Sequence, residues 1–398
     1  MSAENRSPAD DSLRVVTRIR TARISTMGHR RRIALMGSAV ALTILASACS
    51  SSKKSPSTPS SSAVAAATSA AAAATTSAAA AVTSAAPAGD APVKVGLVVK
   101  TLTNPFFVAM QKGAQAAAAK IPGVTLLTGA GKTDSDNAGQ VTVVENMINA
   151  GAKGILITPA DSKAIVPSVK KWRDEGIVVI ALDSPTEPRD ATDALFATDN
   201  FKAGVAIGQY AKATFAGKPA KIVTLDLLPS IAVGYLRHNG FLNGFGDATI
   251  TADTKEQKNT ADVVCEGNSD GDQAKGQAAM ETCLQKSPDV NLVYAINEPA
   301  ATGAYTALKA AGKEKGVLIV AVDGGCAGIQ ALADGKIAAT SQQYPLKMAD
   351  LGVQAIVTAA RGGAKPSGYT DTGVNLIAAT PVAGVDSKDL AFGKANCW

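Results

Sequence analysis

From Val93 onward, short apolar runs alternate with stretches in which apolar residues recur every three to four positions. The runs predict buried strands at 93–100, 124–128, 154–158, 178–182, 221–227, 292–296 and 317–322. The periodic stretches predict helices at 105–120, 136–150, 164–175, 201–215, 232–244, 272–286, 300–311 and 345–361. Several of these helices start just after Asp, Asn or Pro, or stop at Gly, as caps require. Regular alternation of strand and helix predicts an α/β fold, a parallel sheet with helices on both faces. The pattern fills two comparable blocks, about 93–198 and 200–343, and together these exceed one comfortable core. Two lobes with a cleft between them follow.

The most informative stretch is Lys100 to Phe107, Lys-Thr-Leu-Thr-Asn-Pro-Phe-Phe, between the apolar run Val95–Val99 and a helical pattern. Pro105 suits a first helical turn, where its missing donor costs nothing. Asn104, Phe106 and Phe107 therefore sit at the carboxyl end of the first strand, the edge where open α/β sheets bind ligands. The plainer reading makes Asn104 a helix cap and the phenylalanines core. Adjacent aromatics on one helical turn point in different directions, which argues against burying both in one core face. The same placement recurs at Asp183, Asn297 and Asp323, each directly after an apolar run. Any one alone reads more readily as a cap or turn residue. Four, drawn from both blocks, converge on a shared polar cleft. Asp and Asn supply paired acceptors or a donor–acceptor pair, and Arg237 supplies a rigid fork of donors. Adjacent hydroxyls of a sugar need that mixture, and the aromatic pair offers faces to its C–H bonds.

Upstream, Arg30, Arg31 and Arg32 precede an uncharged run from Ile33 to Ala48 and then Cys49. This is the order of a signal peptide, expected over 1–48, and the run is shorter than the roughly 20 residues of a membrane span. Met27 makes a better-proportioned start than Met1. Leu45-Ala-Ser-Ala-Cys49 resembles a bacterial lipobox, so Cys49 is expected to be lipid-modified and to anchor the chain to the outer face of the cell membrane; ordinary cleavage is the alternative. The rest of 49–92 is almost entirely Ser, Ala, Thr and Pro and reads as a flexible tether. Residues 1–54 hold ten of the 39 Lys/Arg and three of the 33 Asp/Glu. The remainder carries 29 basic and 30 acidic groups, so a nucleic-acid partner has no electrostatic support.

Motifs for catalysis are sparse. The histidines are His29 and His238. No zinc spacing, HExxH motif, Walker loop, dinucleotide fingerprint or serine elbow is present. Asp183 and Asp323 could still be paired carboxylates of a glycoside hydrolase, although ligand hydrogen bonding suits them equally. Beyond Cys49 there are four cysteines, Cys265, Cys283, Cys326 and Cys397. An even count in an exported domain predicts two disulfides with three pairings open. Cys265–Cys283, close in sequence and flanking one helix start, with Cys326–Cys397 is preferred; free buried thiols are the alternative.

Six motifs carry a family resemblance: Thr103-Asn-Pro-Phe-Phe107, Ala181-Leu-Asp-Ser-Pro185, Phe196-Ala-Thr-Asp-Asn-Phe-Lys-Ala-Gly204, Ile296-Asn-Glu-Pro-Ala-Ala301, Val322-Asp-Gly-Gly-Cys326 and Thr340-Ser-Gln-Gln-Tyr-Pro345. Through them, residues 93–398 resemble the periplasmic-type monosaccharide-binding proteins of bacterial ABC importers. Ribose-binding proteins are relatives, and fructose-binding proteins are the nearest likeness. The resemblance implies the periplasmic binding protein type I fold, two Rossmann-like doubly wound lobes joined by three hinge segments. Lobe 1 would be 93–198 plus 344–374, and lobe 2 would be 199–343 plus 375–398. It implies a monosaccharide held by Asn104, Phe106, Phe107 and Asp183 from lobe 1 and Arg237, Asn297 and Asp323 from lobe 2, with Gln343 at the hinge. It implies no metal, cofactor or catalysis, a monomer, and a permease and ATPase as partners. Ribose binders carry an arginine where Ser184 stands and an aromatic where Gly271 stands, which turns the expectation from ribose toward fructose. A sensor module of the same fold and a secreted hydrolase are the other two classes. The first needs an attached DNA-binding or signalling domain, and the second a nucleophile or acid.

Overall fold

The computed structural model describes residues 89–398. The expected signal peptide, Cys49 and nearly all of the tether lie outside the described residues. The first lobe begins with β1 (Val93–Val99), α1 (Pro105–Ala119), β2 (Val124–Ala130), α2 (Asn137–Asn149), β3 (Gly154–Ile157), α3 (Val166–Asp174), β4 (Val178–Leu182) and β5 (Ala194–Ala197). The second follows with α4 (Asn200–Phe215), β6 (Ile222–Asp226), α5 (Ala232–Phe245), β7 (Val263–Asn268), α6 (Gln273–Lys286) and β8 (Leu292–Ala295), then α7 (Glu298–Ala310), β9 (Leu318–Asp323), α8 (Cys326–Ala333) and β10 (Ala339–Gln342). The chain then returns to the first sheet with α9 (Pro345–Ala360) and β11 (Gly368–Asp371), and to the second with β12 (Asn375–Ala378) and α10 (Leu390–Asn396).

Each sheet has six strands, in the orders β11-β5-β4-β3-β1-β2 and β12-β10-β9-β8-β6-β7. All neighbours run parallel except β12, which is antiparallel to β10. Two lobes of parallel-dominated sheet covered by helices are the periplasmic binding protein type I arrangement. In each sheet the strand order reverses beside the first strand, and the carboxyl ends flanking such a reversal form a crevice. The chain crosses between sheets three times, after β5, after β10 and after β11.

Strands form wherever the uninterrupted apolar runs predict them. The hydrophobic pattern misses β5, β7, β10, β11 and β12, and the helices α8 and α10. Most of these strands are only four residues long, and several are polar. In β10, Ala-Thr-Ser-Gln, every residue is buried. Thr340 donates to Glu298, Ser341 to the Ala203 carbonyl, and Gln342 to the carbonyls of Gly324 and Gly393. Hydrogen bonding substitutes there for the apolar side chains that a period search looks for. Disulfides join Cys265 to Cys283 and Cys326 to Cys397, with Cα separations of 5.6 and 4.9 Å.

The aromatic pair departs from expectation. Phe106 and Phe107 are both 3% exposed, and both belong to the core formed by α1, α9 and the sheet. Their rings meet edge to face, 5.4 Å apart at 83°. That geometry lets neighbours on one turn share a core, because the edge of one ring complements the face of the other.

In the second lobe, α4 and α5 touch backbone to backbone. A Cβ on Gly204 would overlap the carbonyl oxygen of Arg237, and one on Gly240 would overlap the carbonyl of Phe201. This contact fixes the height of Arg237 above its sheet. Gly204→Ala should therefore force the helices apart and lower stability by about 1–3 kcal/mol, the usual cost of overpacking. Thermal unfolding measures it, and an unchanged midpoint would refute this account of the seam.

Candidate functional site

The cleft lies at the carboxyl edges of both sheets, and its lobes are drawn together. Ser162, in the β3–α3 loop, donates its amide to the Ser230 carbonyl at 3.1 Å and accepts from the Ala232 amide at 2.9 Å. Ser135 Oγ donates to Asp270 at 3.4 Å. Between the lobes lies a cavity with about 320 Å³ of empty space, whose lining includes all eight ligand residues expected from the sequence.

Asn104 turns out to be cap and lining at once. Its Oδ1 accepts from the Phe106 amide at 3.0 Å, which commits the oxygen to α1 and orients the amide nitrogen. Asn297 does the same for α7, accepting from the Ala300 amide at 3.0 Å while its Nδ2 donates to the Gly271 carbonyl at 2.9 Å. Gly271 has φ +67°, and a Cβ there would stand 3.0 Å from Asn297 Nδ2. The left-handed backbone and the close amide both favour glycine there.

Two aspartates face each other across the cleft on unusual backbone. Asp183 has φ 60° and Asp323 φ 145°. Such conformations cost on the order of 1–3 kcal/mol each outside glycine and concentrate at binding sites. Asp183 Oδ2 accepts from Ser184 Oγ at 2.8 Å, while its Oδ1 is buried with no hydrogen-bond partner among the described residues. Asp323 Oδ1 accepts from Gln343 Nε2 at 2.7 Å, and Gln343 Oε1 is likewise buried and unpartnered among those residues. Arg237 joins the lobes. Its Nε donates to Asn200 Oδ1 at 2.7 Å and its Nη1 to the Ile296 carbonyl at 3.0 Å. The same guanidinium stands 3.7 Å from Asp183 Oδ1 and 3.7 Å from Asp323 Oδ1.

Sequence reasoning missed three contributors. Lys100 and Asp134 line the cavity, and Asn200 orients Arg237. Lys100 is buried, its ammonium 5.8 Å from the centroid of the Phe107 ring. The strand-end rule that found Asn104 applies equally to Lys100, after β1, and to Asp134, after β2. Asn200 lies inside a quoted motif but shows its role only through its contacts.

Burial shapes the charges. It pushes the Lys100 ammonium below its usual range, while Asp183 and Asp134 pull the other way. It pushes the Asp134 carboxyl up to about 6 against the opposing Lys100. It also raises Asp323, which Arg237 opposes. Behind Asp323, the buried Glu298 carboxyl is raised by burial and by Asp323. Glu298 accepts from the Gly324 and Gly325 amides at 2.9 and 3.0 Å, holding the turn that presents Asp323. His238 lies outside the cavity, paired with Asp226 at 3.0 Å and the Lys258 carbonyl, so no Ser-His-Asp arrangement meets at the cleft. Among the described residues, no group of His, Cys, Asp and Glu could hold a metal ion, and no helix is long and apolar enough to cross a membrane.

Residues 95–364 match the family model described as periplasmic binding protein domain. The chain is similar to the ribose import binding protein RbsB of Bacillus subtilis, 33% identical over 261 residues, covering 66% of this chain and 79% of that protein. It is 31% identical over 296 residues to the D-ribose/D-allose-binding protein of Pseudomonas aeruginosa, covering 72% of this chain and 89% of the relative. Among solved structures it is similar to an ABC transporter solute-binding protein from Agrobacterium vitis with bound D-fucose, with TM-score 0.65, 27% identity, and coverage of 77% and 100%. Another, from Mycobacterium smegmatis with bound glycerol, has TM-score 0.63, 28% identity, and coverage of 72% and 93%.

The raised Asp134 carboxyl makes stability depend on pH in a definite direction. Because its folded value, about 6, lies above the unfolded value of 3.8, the protonated form is favoured by folding. That contribution is fully present below about pH 4 and is lost as pH rises through about 6, a span of about 3 kcal/mol. In the ligand-free protein, urea unfolding between pH 4 and pH 7 should show this loss, and Asp134→Asn should flatten it. Equal slopes for the two proteins would contradict the burial assigned to Asp134.

Proposed function

We propose that this chain, which belongs to the periplasmic binding protein family, is the sugar-binding protein of an ABC importer, and that its ligand is a free monosaccharide, D-fructose first. The carrying observation is the pair of buried, unpartnered acceptors, Asp183 Oδ1 and Gln343 Oε1, lining one cavity with the donors Arg237 and Lys100. A ligand that satisfies both sets must donate and accept at neighbouring atoms, which hydroxyl groups do. Phe106 and Phe107 supply apolar walls for the C–H face. Asp323 accepts ligand hydroxyls through its carboxyl oxygens, and Arg237 donates to ligand oxygens. Ser184 stands where ribose binders place an arginine, and this supports fructose over ribose. The relatives are solute-binding proteins rather than enzymes, which supports a non-catalytic role.

Capture and release follow from the three crossings. The lobes open about the segments after β5, β10 and β11, and the sugar, touching both lobes, favours the closed state; hinge closure around ligands is general for periplasmic binding proteins. The closed form is what a permease then engages. Export from the cytoplasm fits the family, and anchoring through a lipid on Cys49 belongs to the same reading.

Calorimetric titration with fructose, ribose, allose, glucose, galactose, xylose and inositol tests the ligand. Heat with fructose is expected, no heat with any sugar would sink the monosaccharide reading, and tighter binding of ribose would show that Ser184 was misread. Asp323→Ala should weaken binding by about one to two decades, since a lost charged partner leaves hydroxyls buried at a cost of about 1–3 kcal/mol. Closure is checked separately. Small-angle scattering should give a smaller radius of gyration with saturating sugar, and superimposable curves would exclude a hinge movement.

A further inference from the structure

The last two residues of the chain belong to different lobes. Cys397 packs against the core of the second lobe and is disulfide-bonded to Cys326 at the start of α8. Trp398 packs against the core of the first lobe. Its indole meets the Phe106 ring edge to face, 5.4 Å apart at 79°, and Phe106 lines the sugar cavity. The indole Nε1 donates to the Gln343 carbonyl at 3.0 Å, at the crossing after β10. The Trp398 carbonyl accepts from the Cys326 amide at 3.2 Å. Gly325 clears the way, since a Cβ there would stand 3.1 Å from the indole.

We propose that Trp398 is a positioning residue for the sugar site, a side chain pinned to the second lobe by the Cys326–Cys397 bond that docks on Phe106 of the first lobe when the cleft is shut. Three observations converge on this role. The anchor is covalent, so docking the indole costs little of the chain entropy that a free terminus loses on ordering. The docked ring, Phe106, is part of the cavity wall, so the indole holds that wall at the angle seen here. The hydrogen bond goes to the backbone of Gln343, whose side chain orients Asp323. Opening the cleft separates the indole from Phe106 while the disulfide keeps it on the second lobe. The contact therefore belongs to the closed state and slows release more than it speeds capture. Trp172, the other tryptophan, is fully buried in the first lobe against Glu145, so indole signals that change on closure come from Trp398.

This inference rests on the sugar-binding reading, and the experiment separates the two. Stopped-flow binding is followed with whichever sugar of the calorimetric panel the unmodified protein takes up. Trp398→Ala is expected to raise the dissociation rate about tenfold with the association rate changed less than twofold, and Trp398→Phe to restore most of the loss. Cys326→Ser with Cys397→Ser should reproduce the Trp398→Ala rates with the tryptophan still present. In a Trp172→Phe background, the remaining emission should shift as the sugar binds. Unchanged dissociation rates in Trp398→Ala would overturn the proposal, as would equal losses in the alanine and phenylalanine variants. Should no sugar bind, the sugar reading fails on its own. The latch is then judged on the ligand-free protein by hydrogen exchange at Phe106, Phe107 and Gln343, where protection lost in Trp398→Ala supports it and unaltered protection overturns it.

Discussion

A guanidinium taken out of water needs acceptors all round it, and Arg237 draws them from both lobes. Asn200 at the first crossing, the end of β8, Asp183 of the first lobe and Asp323 of the second share the task. Removing one partner from a buried charge is expensive, whereas the full set roughly offsets the loss of hydration. The separation of the lobes is thereby tied to the charge balance at the cleft, because an opening would withdraw Asp183 and admit water in its place. The glycine contact between α4 and α5 sets where the guanidinium stands. The strained backbone at both aspartates sets where their oxygens stand. Neither arrangement would be worth its cost in a surface that stayed solvated.

Much of this was readable from residue order. Uninterrupted apolar runs located the central strands of both sheets, and polar residues at or just past their carboxyl ends pointed to Asn104, Asp183, Asn297 and Asp323. Asn104 and Asn297 show why such a rule works and where it blurs: the oxygen of each caps a helix, and the cap itself aims the remaining amide at the cleft. The aromatic pair was misjudged because direction on a helical turn says nothing about ring planes, and two perpendicular rings share a core comfortably. Lys100 and Asp134 escaped because one reads as the polar end of a strand and the other as part of a turn. β10 escaped because its buried residues are held by hydrogen bonds to partners far away in sequence. Glu298 is the clearest case of information that exists only in three dimensions. Its position after Asn297 reads as an ordinary first-turn acid, yet it is buried beneath the turn that carries Asp323.

The small cavity and its mixed charges place limits on what enters. Lys100 and Arg237 stand against Asp134, Asp183 and Asp323. A wall set so nearly balanced has no surplus to neutralise a carboxylate or phosphate brought in from water. Selectivity then rests on hydroxyl geometry, and rejection of the wrong ring comes from buried groups left unpaired.

The three crossings bear on how the molecule comes into being as well as on how it moves. The first sheet takes β11 from residues near 370, and the helix packed on its β1, β3 and β4 is α9. The second sheet waits for β12 at Asn375–Ala378. Neither core is complete in any contiguous fragment that stops before these segments, and the pairing of β11 with β5 that closes the first sheet spans well over a hundred residues. Non-local closure of this kind is slow, because the entropy of the intervening loop is lost before any contact compensates for it. A nascent chain of this design stays without a finished lobe until nearly all of it has been synthesised, and that interval is when an unfolded polypeptide can still be threaded through a narrow channel.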